Sequence, residues 1–165
     1  MSFFEWNDDM SVGAHLIDSD HRALIAIINE LHDMLEETDG AVDHAVLAKH
    51  FKELVTYTQY HFSREESMLR AVNYDQLTGH AKSHGSFTQF VYDMRNRMAR
   101  AIDREAIEEV LDYLKQWLNH HILVEDAAYK PFIRDNLSAV RAGGKFGPGL
   151  AVVRGDEPSD LLAAG

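Results

Sequence analysis

The chain contains no cysteine, and this absence excludes several kinds of chemistry. Disulfides, thiolate nucleophiles, iron–sulfur clusters and thiolate-ligated haem all require that residue. Proline is nearly as scarce, with Pro131, Pro148 and Pro158 the only three. Because a proline inside a helix removes a backbone hydrogen bond and clashes with the preceding turn, helices before residue 131 can run without interruption.

Basic residues are also in the minority, with 16 Lys and Arg against 27 Asp and Glu and a formal net charge of −11. Nucleic acids and anionic membranes are bound mainly through basic side chains, so we expect neither as a partner. No apolar run approaches the roughly 20 residues that span a bilayer, and the first ten residues lack the basic and apolar regions of a signal peptide. The sequence therefore predicts a cytoplasmic protein with no membrane insertion.

Four segments carry apolar residues at the three- and four-residue spacing of an amphipathic helix. They lie at about residues 19–37, 43–70, 76–100 and 103–128. No segment shows the period-two alternation of a half-buried strand. Four long helices joined by short links predict an all-α protein, an antiparallel up-down-up-down four-helix bundle.

The first helix is expected to begin at an N-cap, Asp18 or Ser19, and to stop at residues 38–40. Residues 72–78 are expected to connect the second helix to the third.

The two ends of the chain are expected to lie outside the four helices. An N-terminal arm, residues 1–17, is rich in aromatic side chains and should pack over the bundle; these are Phe3, Phe4 and Trp6. The bundle with its arm is predicted to span residues 1–134. Residues 135–165 form a tail rich in glycine, proline and acidic side chains. This composition predicts an irregular, solvated extension rather than a partner-binding segment. Its removal is expected to leave any site in the bundle intact.

Ten histidines are an unusual number for a chain of 165 residues, and their positions are informative. Residues four apart on a helix are neighbours on one face. The pattern places an inward-facing histidine on each of the four helices and a second donor four residues away on two of them. These residues are His21, His61, Glu65, His80, His84 and His121. Four other histidines lie among polar neighbours and are predicted to be surface residues; they are His15, His32, His44 and His50.

Each of these donors taken alone has a simpler interpretation. One histidine on an apolar face is more often a hydrogen-bonded core residue than a ligand, and a His–Glu pair four apart usually supports its helix. Several buried histidines with no shared partner would, however, each leave polar nitrogens unsatisfied. The combination on four helices therefore favours a shared metal site.

The fourth helix leaves one ligand ambiguous, because both Glu125 and Asp126 follow His121. On an ideal α-helix, a residue five positions along lies about 140° around the axis. Spacing alone would therefore pair His121 with Glu125 and not with Asp126.

The donor set narrows the choice of metal. Imidazole-rich sites without thiolates suit iron, zinc, copper or nickel, and structural zinc normally takes only four ligands. Seven donors are too many for one ion and fit two ions bridged by carboxylates. Oxygen-activating di-iron bundles use more carboxylate ligands, in part through Glu-x-x-His motifs. No Glu-x-x-His motif occurs in this sequence. Fewer anionic ligands stabilise high-valent iron poorly, which favours reversible O2 binding over O–O cleavage.

Four stretches of this sequence together resemble the hemerythrin family in its bacterial, single-domain form. They are Trp6 with SVGAHLIDSDH, then HFSREESM, HAKSH and WLNHHILVEDAAY, and they extend from residue 6 to about residue 130. The resemblance implies two iron ions with an oxo or hydroxo bridge. It assigns His80, His84 and His121 to one iron. It assigns His21 and His61 to the other, with Glu65 and Asp126 bridging the two, and so selects Asp126 over Glu125.

The resemblance also implies a function, which is reversible binding of O2 as a hydroperoxide at the open position of the two-histidine iron. The protein would be an oxygen carrier, store or delivery protein and not an enzyme, with a protein that accepts O2 as a further partner. The alternatives are an O2 or redox sensor and a di-iron peroxide or nitric oxide reductase. Nitric oxide and azide remain open as further ligands of the same position.

Reversible binding requires a dry pocket, because water and protons would promote loss of peroxide. The apolar residues expected to form its wall are Ile25, Phe62, Trp117, Leu118 and Ile122. Ordinary core packing is the alternative interpretation for all five. A small residue in place of Ile122 is expected to speed autoxidation if Ile122 shields the pocket.

Overall fold

A computed structural model of the protein describes residues 2–37, 43–98 and 104–147. Within these ranges the chain forms helices and no strands. They are a short 3-10 turn at Asp8–Met10, α1 (His15–Glu37), α2 (His44–Ala71), α3 (Leu77–Met98), α4 (Arg104–His120), a π-helical segment (His121–Asp126), α5 (Ala127–Ile133) and α6 (Leu137–Gly144). The predicted all-α class and helical bundle are confirmed.

The four long helices surround one apolar core. Helix α1 packs against α2 and α4, and α2 packs against α3. Stacked aromatic rings join α3 to α4, with the centroids of Phe87 and Trp117 4.0 Å apart. Each helix contributes buried apolar side chains between these contacts; examples are Leu31, Leu54, Val91 and Leu114. None of the helices in the described part of the chain is both long enough and apolar enough to cross a membrane.

Helix α1 begins at His15, four residues before the predicted start. Asp18 is therefore not an N-cap but lies inside the first turn, and Ser19 follows it within the helix. The Asp18 carboxylate accepts hydrogen bonds from the Ser11 hydroxyl at 2.6 Å and from the Val12 N–H at 2.9 Å. The prediction failed because the carboxylate satisfies donors of the preceding loop and not those of its own helix.

Two other boundaries were predicted for the connections between helices. The link between α2 and α3 is shorter than expected, because α3 already begins at Leu77. The stop predicted at residues 38–40 lies outside the described residues.

The N-terminal arm lies against the bundle and is fixed by one side-chain amide. Phe4 is buried, and Phe3 and Trp6 pack against the core. The Asn29 side chain accepts from the Phe4 N–H at 2.8 Å and donates to the Phe4 carbonyl at 2.9 Å. Both backbone groups of Phe4 are thereby satisfied by a single residue of α1.

The C-terminal tail is not irregular throughout, so this prediction is wrong for residues 137–144. They form α6, which packs along α2 and buries Ala139 completely. The Asn136 side chain caps the helix by accepting from the N–H groups of Ser138 and Ala139. Gly143 allows the close approach, because a Cβ there would lie 2.6 Å from Met68 Sδ. Residues 148–165 lie outside the described residues.

Replacement of Asn29 by alanine tests how strongly the arm is held. Asn29→Ala should lower the free energy of unfolding by about 1–3 kcal/mol, because it leaves a partly buried N–H and carbonyl without partners. Urea denaturation of the metal-free protein measures the change. The matched control is Asn96→Ala, which alters an exposed asparagine within α3 and should change stability by no more than about 0.5 kcal/mol. Equal effects of the two substitutions would contradict this role for Asn29.

Candidate metal centre

The structure brings all seven predicted donor residues together inside the bundle. They come from α1, α2, α3 and the π-helical segment, and the most exposed of them, His80, is 6% exposed. The ligand atoms of six of them form two groups, and within each group all atoms lie within 4.8 Å of one another. One group is Glu65, His80, His84 and His121, and the other is His21, His61 and Glu65. The four histidines predicted at the surface take no part in either group.

The first group contains three imidazoles whose Nε2 atoms converge. His84 Nε2 lies 3.0 Å from His121 Nε2 and 3.0 Å from Glu65 Oε2. His80 Nε2 lies 3.2 Å from the same carboxylate oxygen. Lone pairs directed at one point from several helices are the arrangement that coordinates a metal ion.

Asp126 stands between the two groups. Its Oδ2 lies 3.1 Å from His21 Nε2, whereas its Oδ1 lies 3.1 Å from His121 Nε2 and 3.4 Å from His80 Nε2. Glu65 is also shared, since its Oε2 lies 4.0 Å from His61 Nε2 as well as close to His80 and His84. Each carboxylate therefore faces histidines of both groups.

The π-helical segment explains why Asp126 and not Glu125 faces the centre. The Ala127 N–H donates to the Ile122 carbonyl five residues earlier, which widens the turn by one residue. His121 and Asp126, five positions apart, consequently share a face. Glu125 points outward, where it accepts a hydrogen bond from the Ser83 hydroxyl at 3.0 Å. The spacing argument correctly paired Glu125 with His121, at its outer Nδ1. It missed Asp126 because it assumed an uninterrupted α-helix.

Several buried polar atoms of this cluster have no aligned hydrogen-bond partner within the described residues. They are both ring nitrogens of His21, Nε2 of His61, Nδ1 of His121, and both carboxylate oxygens of Asp126. Buried polar groups are costly when left unpaired, and coordination of a metal would satisfy them. Imidazole and carboxylate donors suit a first-row transition metal such as iron. The residues present therefore fit a metal centre.

Comparison with known proteins agrees with this geometry. Residues 12–133 match the family described as the hemerythrin HHE cation binding domain. The chain belongs to the hemerythrin family. Bacteriohemerythrin of Pseudomonas aeruginosa is 33% identical over 142 residues, covering 84% of this chain and 86% of that protein. Bacteriohemerythrin of Clostridium acetobutylicum is 30% identical over 126 residues, covering 76% and 98%.

The hemerythrin fold is also found among solved structures. A crystal structure of wild-type hemerythrin superposes with a TM-score of 0.70 at 18% identity, covering 81% of this chain and 99% of that one. The hemerythrin family binds non-haem iron, and its members bind O2 in general.

The outward nitrogens of three of the five histidines face further carboxylates, as is usual for metal-binding histidines. His84 Nδ1 lies 2.9 Å from Glu66 Oε1, and His121 Nδ1 lies 3.4 Å from Glu125 Oε2. His61 Nδ1 lies 3.4 Å from Asp20 Oδ2. The side chains of Glu66 and Glu125 are 26% and 29% exposed, whereas that of Asp20 is 1% exposed.

Sequence reasoning singled out Glu125 but did not identify the other two outer residues or Tyr129. The Tyr129 hydroxyl donates to Glu65 Oε1 from a completely buried ring, and so holds the carboxylate on the side away from the histidines. Asp20 directly precedes His21, but spacing gives no indication that it would face His61 on another helix. Tyr129 lies beyond the π-helical segment, so its direction could not be read from α-helical spacing.

The electrostatics of the centre reflect its burial and its close charges. Burial opposes ionisation of Glu65, but hydrogen bonds from His80 and His84 outweigh it and hold the pKa of Glu65 well below its usual value. Burial likewise opposes the charge on His121, yet Asp126 raises the pKa of His121 to about 10. Burial lowers the pKa of His61, which favours the neutral form. A metal ion entering the first group must therefore displace protons.

An apolar cavity of about 10 Å³ lies beside the centre, and this is room for roughly one water molecule. Its lining includes Thr58 and three of the predicted wall residues, Phe62, Trp117 and Leu118. The other two, Ile25 and Ile122, are buried in the same core but do not line this cavity.

Two of the lining rings also cover histidines of the centre. Phe62 stacks on His84 with centroids 3.7 Å apart, and Trp117 stacks on His121 at 4.4 Å. Aromatic rings therefore separate part of the first group from solvent.

Substitution of the two neighbouring acids tests the register set by the π-helical segment. Asp126→Asn should weaken metal binding by at least about tenfold, because it removes a charged donor that faces both groups. Anaerobic titration with Fe(II), followed by gel filtration and elemental analysis, measures the ions retained per chain. Glu125→Gln is the matched control and should lose less metal than Asp126→Asn, because it changes a carboxylate that faces only the outer nitrogen of His121 and its amide oxygen can still accept from that nitrogen. A greater loss of metal in Glu125→Gln than in Asp126→Asn would indicate that Glu125, and not Asp126, is the ligand.

Proposed function

We propose that this centre holds two iron ions joined by Glu65, Asp126 and an oxo or hydroxo bridge, and that the protein binds O2 reversibly as a carrier, store or delivery protein. The asymmetry of the donors carries the proposal. One group offers three histidines and the other offers two, while both carboxylates are shared between them. Two ions ligated in this way differ by one protein donor, so one of them has a position free for a small molecule.

The distances support a specific assignment of the ligands. His80, His84 and His121 converge on one point near Glu65 Oε2 and Asp126 Oδ1. His21 faces Asp126 Oδ2, and the rings of His21 and His61 are 4.8 Å apart. We assign the first three histidines to one iron and these two to the iron with the free position.

Two ferrous ions held by these histidines and carboxylates would each supply one electron to bound O2 and would regain it when O2 leaves. The surrounding residues determine whether this exchange stays reversible. The cavity lies within one helical turn of both His21 and His61, since Leu24, Thr58 and Phe62 line it. Its size and its mainly apolar lining exclude bulk water. Tyr129 is held protonated, because burial and the nearby carboxylates of Asp126 and Glu65 raise its pKa well above the usual value, so it remains a donor to Glu65.

The deciding experiment combines an iron count with visible spectra of the purified protein. We expect two irons per chain, no visible absorption after anaerobic reduction, and charge-transfer bands that appear with O2 and disappear under vacuum. Two irons that oxidise in air without reversal would contradict O2 carriage. Turnover assays with peroxide or nitric oxide and a reductant would then test for a reductase.

Enlarging the apolar cavity should shorten the life of the oxygenated protein. Leu118→Ala removes a lining side chain and admits water, so autoxidation should accelerate by about tenfold, equivalent to ~1.4 kcal/mol of activation free energy. Loss of the oxygenated absorption bands with time measures the rate. Leu114→Ala is the control, because Leu114 is equally buried one turn earlier on α4 and does not line the cavity.

Ile122→Ala should have a smaller effect than Leu118→Ala, because Ile122 does not line the cavity either. Equal autoxidation rates in the Leu118 and Leu114 variants would show that the cavity does not protect the oxygenated protein.

A further inference from the structure

Arg64 is a buried cation that touches none of the proposed iron ligands. It is 2% exposed, lies one residue before Glu65 on α2, and donates from Nη1 to Asp20 Oδ1 at 2.9 Å. Its Nη2 donates to the Gly147 carbonyl at 2.6 Å and to the Tyr60 hydroxyl. One guanidinium group therefore joins a buried aspartate of α1 to the backbone that follows α6.

Tyr60 strengthens the same connection. Its hydroxyl lies 2.7 Å from the Phe146 carbonyl and 2.9 Å from the Gly147 carbonyl, and its ring lies 4.8 Å from the Arg64 guanidinium carbon. Gly147 has a φ of +78°, a conformation that favours glycine and turns its carbonyl toward the side chains of α2. The end of the C-terminal segment, defined here as residues 137–147, is thus held by two residues of α2.

Asp20 transmits this arrangement to the centre. Its Oδ1 accepts from Arg64 and from the Tyr57 hydroxyl at 2.8 Å, and its Oδ2 lies 3.4 Å from His61 Nδ1. Carboxylates that face the second nitrogen of a metal-binding histidine set the orientation and tautomer of its ring. The direction of the His61 ring consequently depends on what holds Asp20.

We propose that the C-terminal segment is a positioning element for the two-histidine side of the centre. The Phe146 and Gly147 carbonyls hold Tyr60 and Arg64, Arg64 orients Asp20, and Asp20 orients His61. This inference rests on the proposed function only in taking His61 as an iron ligand. It reverses the expectation that the tail can be removed without effect on the site.

The hydrogen-bonded part of this connection leads to one side of the centre, through Asp20 to His61. His84 and His121 instead face Glu66 and Glu125, which belong to α2 and the π-helical segment. Displacement of the C-terminal segment should therefore alter the two-histidine iron and leave the three-histidine iron unchanged. A ligand or partner that displaced it would regulate the position where O2 is proposed to bind.

Two adjacent glycines of α6 provide a matched pair of variants in the full chain. Gly143→Val should push α6 away from α2, because a Cβ at Gly143 would lie 2.6 Å from Met68 Sδ and 3.3 Å from Leu16 Cδ1. Gly144→Val is the control, since a Cβ there meets nothing within 4 Å. Both variants make the same change in the same helix, so only the docking of the C-terminal segment differs.

A second pair removes single hydroxyls and leaves the packing in place. Tyr60→Phe breaks the contacts with the Phe146 and Gly147 carbonyls and the hydrogen bond from Arg64, but keeps the ring beside Arg64. Tyr92→Phe is its control, because the Tyr92 hydroxyl accepts from Gln59 Nε2 on an exposed part of the α2–α3 surface. If Gly143→Val does not fold, this second pair still tests whether the C-terminal segment positions His61.

Two readouts distinguish positioning from general stability. In the metal-free protein, ¹⁵N NMR of the imidazoles should show shifted His61 nitrogen signals in Gly143→Val and Tyr60→Phe, with those of His84 unchanged. In the iron-loaded protein, one of two Mössbauer doublets should change, and one of two irons should pass to a chelator about tenfold faster or more. Both controls should match the unaltered protein.

Unchanged His61 signals and two unchanged irons in both test variants would overturn the proposal. Equal changes in His61 and His84 would overturn it as well, because they would indicate a general loosening. If the protein held no iron, the proposed function would fail, and the NMR of the metal-free protein would still decide whether the C-terminal segment positions His61.

Discussion

Five imidazoles and two carboxylates face one another in a space that water does not reach. Taking so many polar groups out of water is unfavourable unless each is satisfied, and several of their atoms have no aligned hydrogen bond among the described residues. The long apolar helices exert the opposite influence, because their buried side chains hold the donors in place whether or not the donors are satisfied. The metal-free bundle therefore holds the donors in an unfavourable, incompletely satisfied arrangement, and coordination of metal ions would stabilise it.

The two sides of the centre are supported in different ways. On the three-histidine side, the outer carboxylates of Glu66 and Glu125 are partly exposed to solvent. On the two-histidine side, the corresponding carboxylate is the buried Asp20, fixed by Tyr57 and Arg64. A rigid, enclosed environment therefore lies on the side where the proposed O2 position is, and a more accessible one on the side that is coordinatively complete.

The helices and the cluster of candidate donor residues could be predicted from the sequence because both depend on regular spacing. Apolar residues three and four apart placed the four long helices to within a few residues, and four-residue pairs such as His80 and His84 lie on one face as that spacing predicts. Prediction from the sequence failed where the chain departs from regular spacing or where a contact is distant in sequence. The start of α1 depends on the loop that Asp18 closes, α6 depends on the side of α2 that it covers, and the link from Asp20 to His61 joins two helices.

The π-helical segment has an effect that extends beyond Asp126. One extra residue is absorbed in that turn, so every residue after it is rotated by about 100° relative to a continuous α-helix. Without this rotation Tyr129 would point about 80° away from His121; with it, the two differ by about 20° and Tyr129 meets Glu65. Ile133, one turn further, joins the small second core with Met68 and Ala139 for the same reason. A single irregular turn therefore aligns a carboxylate at the centre, the phenol that holds the other carboxylate, and the apolar surface on which the C-terminal helix rests.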